Sequence, residues 1–344
     1  MRLVLFISLF RVGRPAQWYA IRGRHFLPVR ITGVKRILFT LLGLLWLTLA
    51  HAQHELQLYV AADGSAAYRS IQAAIDDTKA FPSSRITIFI KAGVYEEKVK
   101  VHAWNNLLTL KGEGAANTIL RWDDHFTSIG RGRNSTFHTP TLLVQGAGFR
   151  AEDLTIENSA GPVGQAIALA VEADNCEIIR CRLLGNQDTL YAAGANARQY
   201  YSHCYIEGTT DFIFGGATAL FEDCVVHSKA NSYVTAASTP QGARYGFVFL
   251  NCRLTAAPGV NKVYLGRPWR DYAKTVFVGC TLSEHILPEG WDNWGSTKKE
   301  TSSFYAEYGN SGPGAAAGNR VAWSHQLSRR QAKRYRKQLI LTSP

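Results

Sequence analysis

Two aspartates carry the strongest chemical signal in the chain: Asp188 in GNQDTLY (185–191) and Asp211 in DFIFG (211–215). Gln165 lies as far before Asp188 as Asp188 lies before Asp211. If that repeated interval is one coil of a repeating structure, the three side chains stand one above another on the same outer face. Two carboxylates one strand spacing apart repel, so one keeps a proton while the other stays anionic. A single residue type then supplies both a general acid and a nucleophile or base. Gln187, beside Asp188, adds an amide donor. A third element, LGRPW (265–269), holds Arg267 and Trp269 at alternate positions, on one side of an extended segment. Arg267 suits a forked hydrogen bond to one aspartate, and Trp269 offers a flat face to a sugar ring. Taken alone, an Asn-Gln-Asp cluster is ordinary turn chemistry. The shared spacing argues for more.

The elements that must hold these residues repeat. Five cysteines, at 181, 204, 224, 252 and 280, share the frame Cys-x-aliphatic. The interval from Cys181 to Cys204 equals that from Asp188 to Asp211. Asp153 begins a similar stretch, as far before Cys181 as Cys252 is before Cys280. Periods of this size with short strands and Gly/Asn turns are a solenoid signature. The expected fold is all-β: a right-handed, single-stranded parallel β-helix with the cysteines stacked inside it. ITIFI (86–90), LLTL (107–110) and TLLV (141–144) read as its strands. One helical pattern, at 68–77, makes a short N-terminal cap, and the basic segment 329–337 reads as a helical tail. Cys204 and Cys224, one short coil apart, are the pair best placed for a disulfide. No Pro/Ser linker divides the chain, so 53–344 is read as one domain.

The net charge of +12 is uneven. Residues 1–52 contain eight basic residues and no acid, leaving 30 basic against 26 acidic residues elsewhere. Nucleic acid is therefore not an expected partner. Lys35-Arg36, the apolar run 37–49 and Ala50-His51-Ala52 form an export signal. Cleavage is expected after Ala52, and Val34 is a candidate for the true start. An apolar run of that length is short for a membrane span, so none is expected in the mature chain, which is read as secreted or periplasmic. GxSxG, HExxH and Walker-type motifs are absent from the sequence, and the histidines form no ligand-spaced pair. Neither metal nor organic cofactor is expected.

On these residues the chain resembles the pectin methylesterases (pectinesterases, carbohydrate esterase family 8). The likeness runs from GSAAYRSIQAAI (64–75) through KAGVYEEK (91–98), NSAGP (158–162), GQAIAL (164–169), GNQDTLY, DFIFG and LGRPW to WSHQL (323–327). It implies a parallel β-helix enzyme that hydrolyses the methyl esters of pectin (homogalacturonan), acting as a monomer. It further implies Asp211 as nucleophile, Asp188 as acid then base, and Gln165 and Gln187 as oxyanion donors. Arg267 would hold Asp211 ionised, while Thr136, Trp269 and Trp291 would contact substrate. Cys204 and Cys224 also match a disulfide pair found in some members. The segment 192–199 is slightly longer than the plant-like pattern, and it is expected to border the groove. The basic tail is either a solvated helix face or an attractor of polyanionic pectate. Competing readings are a β-helix lyase or polygalacturonase, a non-catalytic polysaccharide-binding β-helix, and an esterase for another ester. A lyase would usually need clustered acids for calcium, whereas these acids have amide neighbours.

Overall fold

The computed structural model describes residues 56–342, so the export signal, the start at Val34 and cleavage after Ala52 lie outside the described residues. From Leu56 onward the chain winds as a right-handed parallel β-helix. Three sheets of eleven, eight and seven strands run its length. A representative coil places Arg198–Ser202 in the first sheet, Tyr205–Gly208 in the second and Ile213–Gly215 in the third. The strands are short because each crosses only one side of the coil. Alternation with period two turns every second side chain inward. Val99–Val101 and Leu142–Val144 show it, with both ends buried and the central residue partly exposed.

The cysteine frame marks the corner between the first and second sheets. Arg182, Tyr205, Val225, Arg253 and Thr281 are in register. The cysteines that precede them therefore stack inside the coil, and all five are buried. Leu154 takes this place one coil earlier, since Thr155 pairs with Arg182. Asp153 instead occupies the turn position before it. Asp153, Arg180, His203, Asp223, Asn251 and Gly279 all have φ between 52° and 65° at this corner. The repeat is thus a left-handed corner residue followed by a buried small one.

Cys204 and Cys224 are free thiols here, which corrects the expected disulfide. In-register parallel strands stack the two side chains one above the other, and the thiols meet as a hydrogen-bonded pair without being joined. The Cys204 Sγ faces the Ile178 and Ser202 carbonyls, and that of Cys224 faces the Tyr201 and Glu222 carbonyls. Beside them, Tyr201, Phe221, Phe249 and Phe277 stack with centroids 4.7, 4.5 and 4.3 Å apart. Each such ring contributes roughly 2–3 kcal/mol by leaving water.

The N-terminal helix spans Ile71–Asp76, shorter than the 68–77 pattern. Ser70 caps it by accepting the Ala73 N–H, and Tyr68 is drawn into a β-bridge with Val60. The C-terminal tail is two short helices, Arg329–Ala332 and Lys337–Leu341. Ile340 is buried with Tyr200, Leu220 and Tyr245 on the first sheet. The segment 192–199 lies on this side as well. Asn196 and Arg198 share a small cavity with Ile340, and Arg198 donates to the Leu341 carbonyl. The expected position on the reaction groove is therefore not found. Those residues turn from the third sheet toward the first, under the tail.

Candidate active site

The third sheet positions the chemistry. Its strands Leu190–Ala192, Ile213–Gly215, Tyr233–Ala237 and Tyr264–Pro268 are parallel neighbours. Leu190 pairs with Ile213, so Asp188 and Asp211, each two positions earlier, share one register position. The Asp188 N–H donates to the Thr210 carbonyl, and the Asp211 N–H to that of Tyr233. Both aspartates adopt positive φ, 67° and 50°. Asp tolerates that conformation better than most side chains, and it bends the backbone just before each strand begins. The shared aspartate pattern therefore has a structural cause as well as a chemical one.

The three-rung ladder expected from the equal intervals is not what forms. Gln165 pairs across the sheet with Gln187, not with Asp188. The next strand is offset by one position, with Leu169 opposite Leu190. Two adjacent pairs result, an amide pair and a carboxylate pair, rather than one mixed column.

Arg267 reaches Asp211 from two strands away. Its Nε donates to Oδ1 at 3.0 Å and its Nη2 to Oδ2 at 2.7 Å. The guanidinium is itself held between two rings, 3.8 Å from the Tyr233 centroid and 3.7 Å from that of Trp294. Such contacts are worth about 0.5–2 kcal/mol each, and they leave the fork little freedom to swing away.

The two carboxylates differ in what surrounds them. Burial pushes the Asp188 carboxyl well above the usual carboxylate range, the Asp211 charge pushes it further, and Arg267 opposes. Burial also raises Asp211, while the Arg267 hydrogen bonds and charge pull it back and Asp292 pushes it up. Asp211 is the better compensated, so it ionises first and Asp188 keeps the proton. Burial works against the Arg267 charge, but the hydrogen bonds and charge of Asp211 outweigh it and leave Arg267 above its ordinary value.

These groups open into a cavity of about 280 Å³. Gln165, Gln187, Asp188, Asp211, Arg267 and Trp269 all face it. Thr136 joins them from the turn Gly132–His138. Apolar rings line the cavity too: Phe214 and Trp269 lie 5.9 Å apart, and Tyr191 packs on Phe214 at 4.8 Å. Trp291 does not line the groove. It is 1% exposed and stacks on Tyr305 at 4.7 Å inside the coil. Trp294, just after it in the chain, faces the cavity in its place. The GWDNW spacing puts one Trp on each side of the wall, and only the register identifies which is which. Tyr233, Phe137 and Arg133 also went unread from sequence. Tyr233 was detectable as the next rung after Asp211, a nearly equal interval further along the chain.

The arrangement provides an anion clamped by a cation, a buried proton donor beside it, and two amides at the same opening. It suits attack by a carboxylate on an ester carbonyl, with a proton available for the leaving group.

Residues 57–343 match the family model described as Pectinesterase. Pectinesterase 31 of Arabidopsis thaliana is 38% identical over 276 residues, covering 78% of this chain and 86% of that protein. Several longer relatives are matched over about half their length. Among solved structures, pectin methylesterase from carrot aligns with a TM-score of 0.78 at 32% identity, covering 84% of this chain and 94% of that one. A pectin methylesterase in complex with a hexasaccharide aligns with a TM-score of 0.74 at 28% identity, covering 85% and 98%.

Proposed function

Because the chain belongs to the pectinesterase family, we propose that it hydrolyses the methyl esters of polygalacturonate, giving pectate and methanol through an aspartyl acyl-enzyme. The observation that carries this reading is the forked Arg267–Asp211 pair, one strand from a carboxyl that burial keeps protonated.

In the first half-reaction an Asp211 oxygen attacks the ester carbonyl carbon. Charge moves to the carbonyl oxygen, where the amides of Gln165 and Gln187 donate to it. Each such donor lowers the barrier by about 3 kcal/mol. As the tetrahedral species collapses, the Asp188 proton passes to the methoxy oxygen and methanol departs. An anhydride between Asp211 and the galacturonate remains. In the second half, the Asp188 carboxylate takes a proton from water while the water oxygen attacks the galacturonate carbonyl. Collapse expels Asp211 as a carboxylate, still held by Arg267, and Asp188 is left protonated for the next cycle. Trp269 and Trp294 flank the sugar, and Thr136 closes the near wall.

The site works on a polymer outside the cytoplasm, consistent with the charged, apolar and Ala-His-Ala pattern at 35–52. The mature chain is read as a secreted or periplasmic monomer. Among the described residues no helix is long and apolar enough to cross a membrane.

The test is methanol release from highly methylated pectin, followed with ultraviolet absorbance for unsaturated sugars. Methanol without unsaturated product supports the esterase. An absorbing product would identify a lyase instead, and saturable binding with neither product would identify a polysaccharide-binding protein.

A further inference from the structure

The first sheet carries apolar side chains on its outer face as well as its inner one. Tyr201, Phe221, Phe249 and Phe277 stack inside the coil, so by alternation Tyr200, Leu220, Val248 and Val276 point outward. These four are in register, and all are buried. The C-terminal segment covers them. Ile340 packs with Tyr200, Leu220 and Val248, Leu327 packs with Val276, and Tyr335 touches both groups. Tyr245 fixes the segment further: its ring lies 5.8 Å from that of Tyr335, and its O–H donates to the Arg334 carbonyl at 2.9 Å. The inner face of the tail is therefore committed to the sheet.

The rest of the tail is charged with one sign. Residues 329–342 hold Arg329, Arg330, Lys333, Arg334, Arg336 and Lys337, and no acid. Lys337 sits over the Tyr200 ring at 3.5 Å, and the other five are exposed. None of the six forms an ion pair with a described residue. The acids of the sheet beneath are engaged elsewhere, Asp174 with Arg198 and Glu222 with the Tyr200 O–H. Among these cations Leu339 is 40% exposed. Cations at this density attract a polyanion, either a uronate polymer or a lipid surface. The exposed leucine selects the lipid. A sugar chain is gripped by aromatic ring faces, and Tyr335, the one aromatic residue of the tail, is turned to the sheet.

We propose that the tail is a peripheral docking surface for an anionic lipid bilayer. Arg329, Arg330, Lys333 and Arg336 lie against headgroup phosphates, and Leu339 enters the boundary between headgroups and acyl chains. The protein rests on the membrane without spanning it, since among the described residues no helix is long and apolar enough to cross. Each cation held near such a surface strengthens partition about fivefold, and salt screens the effect. The tail covers the first sheet, whereas the carboxylates stand on the third. Docking therefore leaves the reaction groove open to a polymer in solution.

The experiment is co-sedimentation of the mature chain, residues 53–344, with two sets of vesicles. One is phosphatidylcholine alone, and the other is phosphatidylglycerol and phosphatidylcholine in equal parts. Binding should appear on the anionic set only and fall steeply with salt. Arg329→Gln, Arg330→Gln, Lys333→Gln and Arg336→Gln combined should weaken it about fivefold per cation removed. Leu339→Ser should weaken it roughly fivefold, for part of a leucine side chain kept from the acyl boundary. Both variants should match the parent in circular dichroism, melting temperature and methanol release, since neither touches the groove. Retention on immobilised pectate, measured in parallel, should be the same in Leu339→Ser as in the parent. Equal partition onto the two vesicle sets, or parent-like binding to anionic vesicles by the four-Gln variant, would overturn the proposal and leave a solvated helix face. Vesicle binding that Leu339→Ser does not change, with pectate retention lost in the four-Gln variant, would overturn it too and make the tail an anchor for anionic polysaccharide.

Discussion

Arg267 grips both carboxylate oxygens of Asp211 from a distant point in the chain, at 3.0 and 2.7 Å, while Tyr233 and Trp294 hold its guanidinium from either side. The relationship separates two otherwise similar acids. Asp211 has a cation hydrogen-bonded to it; Asp188 has burial and a like charge, opposed only by the more distant charge of Arg267.

Activity should follow from that difference as a bell in pH. The competent state has Asp211 ionised and Asp188 protonated, so the rate rises as Asp211 loses its proton and falls as Asp188 loses its own. Both limbs should lie above the ordinary carboxylate value of 3.8, with the alkaline limb displaced further. In Arg267→Lys the fork is lost, because an ammonium cannot reproduce a planar two-point contact. Asp211 then ionises at higher pH. The acidic limb of kcat/KM should move up, with roughly a hundredfold loss at the parent's optimum. A pH–rate profile checks this; an unmoved acidic limb would contradict it.

The same burial predicts a stability effect of opposite sense. The folded state raises the Asp188 pKa, so between 3.8 and the raised value it binds more protons than the unfolded chain. Stability therefore falls as pH rises through that window. Asp188→Asn removes the ionisable group, and it should raise Tm by a few degrees at neutral pH. Below pH 3.8, where the parent carboxyl is already neutral, the gain should vanish. Thermal melts of the two proteins at both pH values measure it.

Two tryptophans close together in the chain should fail in different ways. Trp291 is packed against Tyr305 and Phe277 in the core, so Trp291→Ala should cost about 3–5 kcal/mol of stability. Trp294 faces the cavity and covers Arg267. Trp294→Ala should lower kcat/KM about tenfold, from one lost cation–π contact and looser positioning, with little change in Tm. Denaturation and steady-state kinetics on both variants distinguish wall from core.

Much of this was legible in the sequence because a β-helix repeats its environment coil by coil. The spaced cysteines reported the period, and Asp188, Asp211 and Arg267 could be placed on one face from it. What escaped were offsets of a single position. The coil holding Gln165 is one position out of step with the later interval, which converts an expected column into the Gln165–Gln187 pair. The same parity decides that Trp294, and not Trp291, meets the groove, and that Leu154, not Asp153, joins the cysteine stack. The bonding state and path of some segments were also hidden. Spacing brings Cys204 and Cys224 into contact on neighbouring strands, but it does not say whether the two thiols are joined, and here they are free. The segment 192–199 could be seen to be long, but not to turn under the C-terminal tail.

The central claim is that Asp211 attacks the ester, and Asp211→Asn tests it most directly. The substitution keeps the side chain's size and leaves an amide oxygen to accept from Arg267. The measurement is methanol release from highly methylated pectin by parent and variant, with matching circular dichroism. The account predicts release by the parent and at least a ~1000-fold loss in Asp211→Asn, the scale of deleting a nucleophile. A folded variant that releases methanol within about tenfold of the parent would contradict it.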